Sequence, residues 1–549
     1  MDSDFIMKKI ISILFAPYNK TFIFLLFLNL LSNSCALNTP TNAQEFLLTV
    51  ALSAAFAYIE NIVFIILRPK ILQYIFLGIF IILYNILFIA EYFSLNYFHR
   101  TINQDVIDII VETNLDETLN FLTSYTEIYW IIVCLTLLFV GNKILYKVAS
   151  FVTKFNFCKY FCLGMSFIGT IIYVYTVYNF FFFRNGMGIP QLTTITRVGY
   201  SFYITQNRTH DIKNLNLICK EVNASIENFY NAPDIIVVIG ESHSLYHSSL
   251  YGYEKNTNPL LSQHVKDGNL FLFQDAVTID DHTHSVMKSI YSLSYQSNQF
   301  SQTPLFPACF KTAGYRTTLY DNQYFIGNGI TFLTDNDLSH TLFHYRNAHG
   351  YSYDGNMIED IHVSDSTSLY VIHLTGQHYT YAHKYPKEFQ YFKAEDYNSN
   401  KHNIEQREIL AHYDNATRYN DYVIDKIIHQ FKDKNCCIVY FSDHGEEIFD
   451  CRDYMGHGNG AHSPNMDYQI RIPFMIYTSP SFQENYPQIV ERIKQSQNYP
   501  ISSDDVPHLL LDIANIKTEH FDPTRSCINE KYDTLRHRIV LNSIDFDNR

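Results

Sequence analysis

Five apolar stretches crowd the first third of the chain, at roughly Thr21–Leu37, Glu45–Leu67, Ile71–Ala90, Ile128–Leu145 and Tyr160–Phe183. A helix needs about 20 apolar residues to cross the hydrocarbon of a bilayer. The last four stretches meet or approach that length. The first is shorter and contains Asn29, Asn33 and Ser34; it also reads as an uncleaved signal-like segment, and less well as a leader cleaved before Cys35. Beyond Arg184 the long apolar runs stop. The expected organisation is a helical membrane domain over residues 1–184, a polar connecting arm over 185–232 and a water-soluble domain over 233–549. A formal charge of −14 argues against nucleic acid as the main partner, because a phosphate backbone calls for a basic surface.

Loop charges orient the spans. Lys8, Lys9 and Lys20 precede the first span, and Arg68 and Lys70 separate the second from the third. Lys143, Lys147, Lys154 and Lys159 cluster around the end of the fourth span and the loop that follows it. The segment from Glu91 to Glu127 has a single base, Arg100, among the acids Glu91, Asp105, Asp108, Glu112, Asp116, Glu117 and Glu127. Basic loops stay cytoplasmic, so an odd number of spans places the C-terminal domain outside the cytoplasm. Six cysteines fall there, Cys219, Cys309, Cys436, Cys437, Cys451 and Cys527. Disulfides are possible in that compartment, with no pairing deducible, while Cys436 and Cys437 read more simply as small buried residues of a strand.

The outer domain opens with Asp234-Ile235-Ile236-Val237-Val238-Ile239-Gly240-Glu241, an apolar β-branched run of the kind buried on both faces of a sheet. Similar runs recur at Leu369–Leu374, Cys437–Phe441 and Phe474–Tyr477, with helical patterns such as Val286–Leu293 and Tyr413–His429 between them. The alternation predicts an α/β layered fold with a mainly parallel central sheet. Ligands of such sheets gather beyond the carboxyl ends of the strands, where Glu241 and the pair Asp443-His444 lie.

Carboxylate oxygen and imidazole nitrogen are good zinc ligands. Asp443 and His444 at one strand end, followed by Gly445, can turn toward a single ion, with Glu241 as a third ligand. Taken alone, a strand-end acid is more often a helix cap. A second element is Asp280-Asp281-His282-Thr283-His284-Ser285, followed by Val286, Met287, Ile290 and Leu293 at helical spacing. Thr283 then sits at or near a helix N-terminus. It is there either as an ordinary cap or as a hydroxyl at a phosphate-binding position, which a zinc ion would activate as a nucleophile. Ser285 competes for that role.

These blocks, in their order, resemble the phosphoethanolamine transferases of the alkaline phosphatase/sulfatase superfamily. The likeness rests on Ile239-Gly240-Glu241-Ser242, Leu250-Tyr251-Gly252-Tyr253 with Asn256-Thr257-Asn258-Pro259, and Ala313-Gly314-Tyr315-Arg316 with Asn322-Gln323. It continues through His373-Leu374-Thr375-Gly376-Gln377-His378 with Lys384-Tyr385-Pro386, Tyr413-Asp414-Asn415 with Arg418-Tyr419-Asn420-Asp421-Tyr422, Ser442–Glu446, and Gly456-His457.

The resemblance implies a five-helix membrane domain joined to a sulfatase-like catalytic domain facing the periplasm from the inner membrane. It implies Zn2+ held by Glu241, Asp443, His444 and the nucleophile. The family's usual residue type favours Thr283 over Ser285. His378 and His457 match histidines that contact the phosphoryl group or a second metal. Thr113 and Glu117 match positions that hold the lipid headgroup, although Ile109 stands where some members carry Asn. His373, inside a strand, reads equally well as a core histidine. The implied reaction moves phosphoethanolamine from phosphatidylethanolamine to lipid A or another envelope glycan. A sulfatase would need a C/S-x-P-x-R run, which the sequence lacks. A glycerol-phosphate transferase of the lipoteichoic acid synthase type, or a non-catalytic envelope-binding protein, are the competing expectations.

Overall fold

The computed structural model describes residues 18–37, 43–67, 69–97, 101–102, 106–107, 128–183, 193–227, 231–294, 301–323, 333, 335–458, 466–541 and 543–548. Each of the five apolar stretches forms a helix: α1 (Lys20–Leu37), α2 (Ala43–Ile66), α3 (Lys70–Tyr97), α4 (Ile128–Val152) and α5 (Asn156–Phe183). Among the described residues, three stretches are long and apolar enough to cross a membrane, Phe46–Ile66, Lys70–Leu95 and Cys158–Tyr175, with a shorter apolar helix over Lys20–Ser34. A sixth helix, α6 (Thr194–Glu221), occupies much of the polar arm.

The asparagines that make α1 look weak in sequence find partners on neighbouring helices. Asn29 donates to Glu60 of α2 at 3.3 Å, and Glu60 also accepts from Tyr84 of α3. Asn33 donates to Ser53 of α2 at 2.9 Å and accepts from the Thr194 amide of α6 at 2.7 Å. Buried Arg197 pairs with buried Glu91 and donates to the Ile102 carbonyl at 2.6 Å. Polar groups in an apolar setting are costly unless bonded in this way. At Gly169 of α5, an added Cβ would lie 2.0 Å from the Ala51 carbonyl oxygen, so α2 and α5 meet backbone to backbone, as small residues permit.

The chain divides into two compact units, and the second is built from Asn207 onward. Its centre is a seven-stranded sheet. The strands are β1 (Asp234–Gly240), β2 (Leu270–Phe273), β3 (Arg316–Asp321), β4 (Tyr345–Arg346), β5 (Ser368–His373), β6 (Cys436–Ser442) and β7 (Phe474–Thr478), in the order β2-β7-β6-β1-β5-β3-β4. All four runs read as strands are strands. The sheet is mixed, because β7 runs antiparallel to both neighbours; a run of alternating apolar residues carries no information about direction.

β1 lies at the centre and is buried throughout. Ile235, Val237 and Ile239 face one core with Leu369, Val371, Val439 and Phe441. Ile236 and Val238 face the other, with Tyr370, Ile372, Ile424 and Ile427. This is the period-2 alternation of a strand between two covered faces. The second face is covered by a helix of 28 residues, Ile404–Phe431, opened by a capping box between Asn403 and Gln406. The six cysteines of this unit are free thiols, with Cys436 and Cys437 fully buried in the sheet.

Truncating Ile236, which has no exposed surface, removes core volume that rigid neighbours cannot refill. Ile236→Ala should destabilise this unit by about 2–5 kcal/mol, read as a lowered midpoint in chemical unfolding of the full-length protein in detergent. A shift below about 1 kcal/mol would contradict the packing of β1 described here.

Candidate active site

Parallel pairing of β1 and β6 aligns Asp234 with Cys436 and Gly240 with Ser442. That register sets Glu241 and Asp443 side by side where the two strands end. The turn after β1 is tied down at once. The Ser242 amide donates to Asp443 Oδ1 at 3.1 Å, and the Ser242 hydroxyl donates to Glu241 Oε1 at 2.7 Å. Ser242 itself has φ of 54°, a left-handed conformation of the kind that clusters at functional turns. The loop after β5 presses on the same turn. Gly376 has φ of 48°, and a Cβ there would stand 2.7 Å from the Glu241 carbonyl oxygen; glycine is the residue that permits this approach.

Thr283 opens a nine-residue helix, α8 (Thr283–Tyr291), numbered after α7 (Pro259–Lys266). The N-cap residue is His282, and it makes no side-chain capping bond. The Thr283 hydroxyl is not spent on capping either. It donates to Glu241 Oε2 at 3.2 Å and lies 3.3 Å from His444 Nε2. His444 Nε2 in turn lies 3.3 Å from Glu241 Oε1 and 3.4 Å from Asp443 Oδ2. Of the two candidate hydroxyls, it is Thr283 that the structure brings to the cluster.

Glu241, Asp443 and His444 have no exposed surface, and Asp443 Oδ2 accepts no hydrogen bond. An uncompensated buried carboxylate oxygen costs several kcal/mol. Zinc bonds of about 2.0–2.2 Å place tetrahedral ligand atoms about 3.3–3.6 Å apart. The separations of 3.2 to 3.4 Å match that spacing, and the donor set is right, so these residues fit a zinc ion.

The charges of the cluster also act strongly on one another. Burial raises the Asp443 carboxyl, and the Glu241 charge beside it raises it further. Burial opposes ionisation of Glu241 as well, but its contact with His444 outweighs that and holds it well below the usual carboxylate range. Burial pulls the His444 imidazole down, yet the Asp443 and Glu241 carboxylates lift it well above its ordinary value.

Two further histidines border the cluster. The His457 ring sits 4.1 Å from that of His444, and its Nδ1 is 2.6 Å from Glu446 Oε2. The other Glu446 oxygen accepts from Tyr381 at 2.6 Å. His444, Glu446 and His457 form a second group with converging ligand atoms. His378 lies on the turn after β5; burial lowers its imidazole to about 3, with the Glu241 charge opposing. His373 is a core histidine, buried inside β5 with Nδ1 3.2 Å from Asp321 Oδ1. Thr113 and Glu117 lie outside the described residues.

Sequence reasoning passed over Ser242 and Gln323 as site residues. Gln323 donates to Glu241 Oε2 at 2.7 Å and to the Leu374 carbonyl at 2.8 Å. The signal for both was their place in blocks of the family likeness. The Tyr413-Asp414 block also gains a role. The Tyr413 hydroxyl donates to the Ser242 carbonyl at 2.6 Å and accepts from the Ser244 amide at 2.8 Å. Asp414 accepts from His247 at 2.7 Å and from the hydroxyls of Tyr253 and Tyr397 at 2.8 and 2.5 Å. His247 Nε2 lies 3.4 Å from Asp450, so one buried imidazole braces the loops after β1 and after β6.

Residues 233–516 match the sequence profile of the Sulfatase family. The phosphoethanolamine transferase EptC of Escherichia coli strain K12 is 30% identical over 312 residues, which are 54% of this chain and 53% of that protein. The phosphoethanolamine transferase EptA of Helicobacter pylori is 27% identical over 292 residues, 51% of this chain and 54% of that protein. The chain thus spans about half the length of the curated relatives it matches. Among solved structures, the C-terminal periplasmic domain of EptC from Escherichia coli in complex with Zn superposes with a TM-score of 0.54 at 28% identity, over 60% of this chain and 96% of that one. The integral membrane lipooligosaccharide phosphoethanolamine transferase A of Neisseria meningitidis gives 0.59 at 15% identity, over 92% of this chain and 97% of that one; this is a likeness of fold. The chain belongs to the sulfatase family. Within it, the curated relatives it resembles are phosphoethanolamine transferases.

Burial alone would lower the His247 imidazole, but the carboxylates of Asp414 and Asp450 raise it from 6.5 to about 10. A raised histidine stabilises the fold fully below its unfolded value near 6.5, and the benefit fades as pH climbs through about 10. The thermal-midpoint gap between the native protein and Asp414→Asn should therefore be widest below about pH 6.5 and narrow steadily toward pH 10. A gap that stays constant across that range would contradict a charged His247.

Proposed function

We propose that the protein transfers phosphoethanolamine from phosphatidylethanolamine to lipid A or another envelope glycan, through a covalent intermediate on Thr283. The observation that carries this reading is the Thr283 hydroxyl, at a helix N-terminus and 3.2–3.3 Å from both Glu241 and His444. The relatives, themselves phosphoethanolamine transferases, support the group transferred.

In this reading Thr283 Oγ1 passes its proton to solvent and attacks phosphorus. The phosphorus–oxygen bond to diacylglycerol breaks, and the leaving oxygen takes a proton from His457, the histidine beside the cluster that Glu446 holds. Glu446 keeps His457 oriented for this by holding its Nδ1. An acceptor hydroxyl then attacks the same phosphorus and passes its proton to that histidine (for a phosphate acceptor, solvent reprotonates it), and Thr283 leaves and takes its proton back from solvent. The backbone amides at the start of α8, at the positive end of the helix dipole, stabilise negative charge on the phosphoryl oxygens. A zinc ion held by Glu241, Asp443, His444 and Thr283 supplies Lewis acidity, which lowers the pKa of the hydroxyl and offsets charge on the phosphoryl group.

Residues 1–184 act as the membrane domain in this reading, 185–232 as the connecting arm and 233–549 as the catalytic domain. The lysine-rich loops and the odd number of spans orient the catalytic domain toward the periplasm from the inner membrane. Thr113 and Glu117 receive the ethanolamine headgroup, the acid matching its ammonium charge.

Purified protein incubated with mass-tagged phosphatidylethanolamine should gain a phosphoethanolamine adduct on the peptide containing Thr283. Thr283→Ala should abolish it, and Ser285→Ala should keep it. An undiminished adduct in Thr283→Ala would move the nucleophile to Ser285. A tag acquired from phosphatidylglycerol instead would make the protein a glycerol-phosphate transferase. Absence of any adduct, together with less than one equivalent of zinc by elemental analysis, would favour a binding protein. Asp443→Asn should cut zinc content and adduct yield together.

A further inference from the structure

We propose that His264, Asp425 and His429 form a further divalent-metal site of the zinc class, where α7 packs against the long helix Ile404–Phe431, which becomes α9. Their ligand atoms all lie within 4.8 Å of one another. Asp425 and His429 stand one turn apart on α9 and so share a face. His264 reaches them from α7. Both imidazoles converge on one atom: Asp425 Oδ1 is 2.7 Å from His264 Nε2 and 3.4 Å from His429 Nδ1. The two rings are 6.0 Å apart, centre to centre, and inclined at 67°. A single His–Asp hydrogen bond between helices needs no metal. A second imidazole beside the same carboxylate completes a three-donor set, which an ion shares by displacing the bridging protons and spreading the 2.7 Å His264–Asp425 pair toward the spacing of zinc ligands. Two imidazoles and a carboxylate suit zinc.

The arrangement is held in place by contacts that involve no ion. Asp421, one turn before Asp425, accepts from the Leu260 and Leu261 amides, each at 3.0 Å, and caps the start of α7. This capping fixes the two helices relative to each other. The Tyr477 ring packs edge-on against His264 at 5.8 Å, which restricts rotation of that imidazole. His429 Nδ1 also lies 3.0 Å from the Asp425 backbone oxygen, a weak tether that a ligand bond would replace. The side chains of His264, Asp425 and His429 are 15%, 17% and 55% exposed. An ion therefore has a path in from solvent and room for water to complete its coordination. Three protein ligands plus water hold zinc more weakly than a closed four-ligand site. The expected effect is to staple α7 to α9, with no part in the transfer chemistry.

The test is a zinc titration of the full chain in detergent, stripped of metal and then passed through a desalting column. It compares the native protein with His264→Ala and His429→Ala. Each variant should retain one equivalent of zinc fewer than the native protein, and zinc should raise the thermal midpoint of the native protein more than that of either variant. A variant that keeps the full complement of zinc with an unchanged zinc-induced shift overturns the proposal. His429 is more than half exposed, so His429→Ala keeps the test decisive if His264→Ala does not fold. Repeating the comparison in the Asp443→Asn background separates this equivalent from the ion at the Thr283 cluster: the one-equivalent difference should persist there, and its disappearance would also overturn the proposal.

Discussion

The second unit depends on a concentration of charge that water cannot reach. Glu241, Asp443 and His444 are buried at the ends of adjacent parallel strands, and an arrangement of that kind is unfavourable unless each charge is answered. Much of the surrounding structure supplies those answers. The Ser242 amide and hydroxyl, the Gln323 amide group and the Thr283 hydroxyl all hydrogen-bond to the two carboxylates. What remains without a hydrogen bond is Asp443 Oδ2, with only the His444 ring at 3.4 Å, and it is the atom that most clearly calls for a cation.

Around this centre, bracing comes in layers. Gly376 lets the loop after β5 rest on the Glu241 backbone. Tyr413 bonds both sides of the turn after β1. Asp414, the next residue on the same helix, gathers His247, Tyr253 and Tyr397. Helix α9 is thus more than a cover for the sheet. It carries, on successive residues, the groups that fix the shape of the turn bearing Glu241. Reacting groups held to a fraction of an ångström need such supports, because small displacements are expensive in phosphoryl transfer.

A good part of this was legible in the amino-acid sequence, for physical reasons. β1, β5 and β6 announce themselves because strands buried on both faces are continuously apolar and β-branched. Glu241, Asp443 and His444 stand out because charge directly after such a run has to be paired or put to use. Strand direction was not legible, and β7 proved antiparallel, since side-chain alternation is the same either way. The edge strand β2 and the strand β3 were passed over: Leu270–Phe273 is only four residues long, and Arg316–Asp321 carries two threonines and charged ends. Thr283 and Ser285 could not be separated by spacing, because counting back from Ser292 or from Ser294 reaches one or the other; in the structure it is the Thr283 hydroxyl that bonds to Glu241. Asn29 and Asn33 weakened the reading of α1, because their partners Glu60 and Ser53 lie on another helix.

The pairing of β1 with β6 also shapes how the chain is made. Ser242 and Asp443 are 201 residues apart, and β5 and β6, which flank β1, both come much later in the chain. As the polypeptide emerges, β1 is an apolar ribbon with bare hydrogen-bonding edges on either side, and it stays so while well over a hundred further residues are synthesised. Such edges invite pairing with foreign strands, and contacts this distant close slowly. The nascent chain therefore passes through a long vulnerable interval, and guarding β1 until its neighbours arrive is a demand that the finished architecture itself imposes.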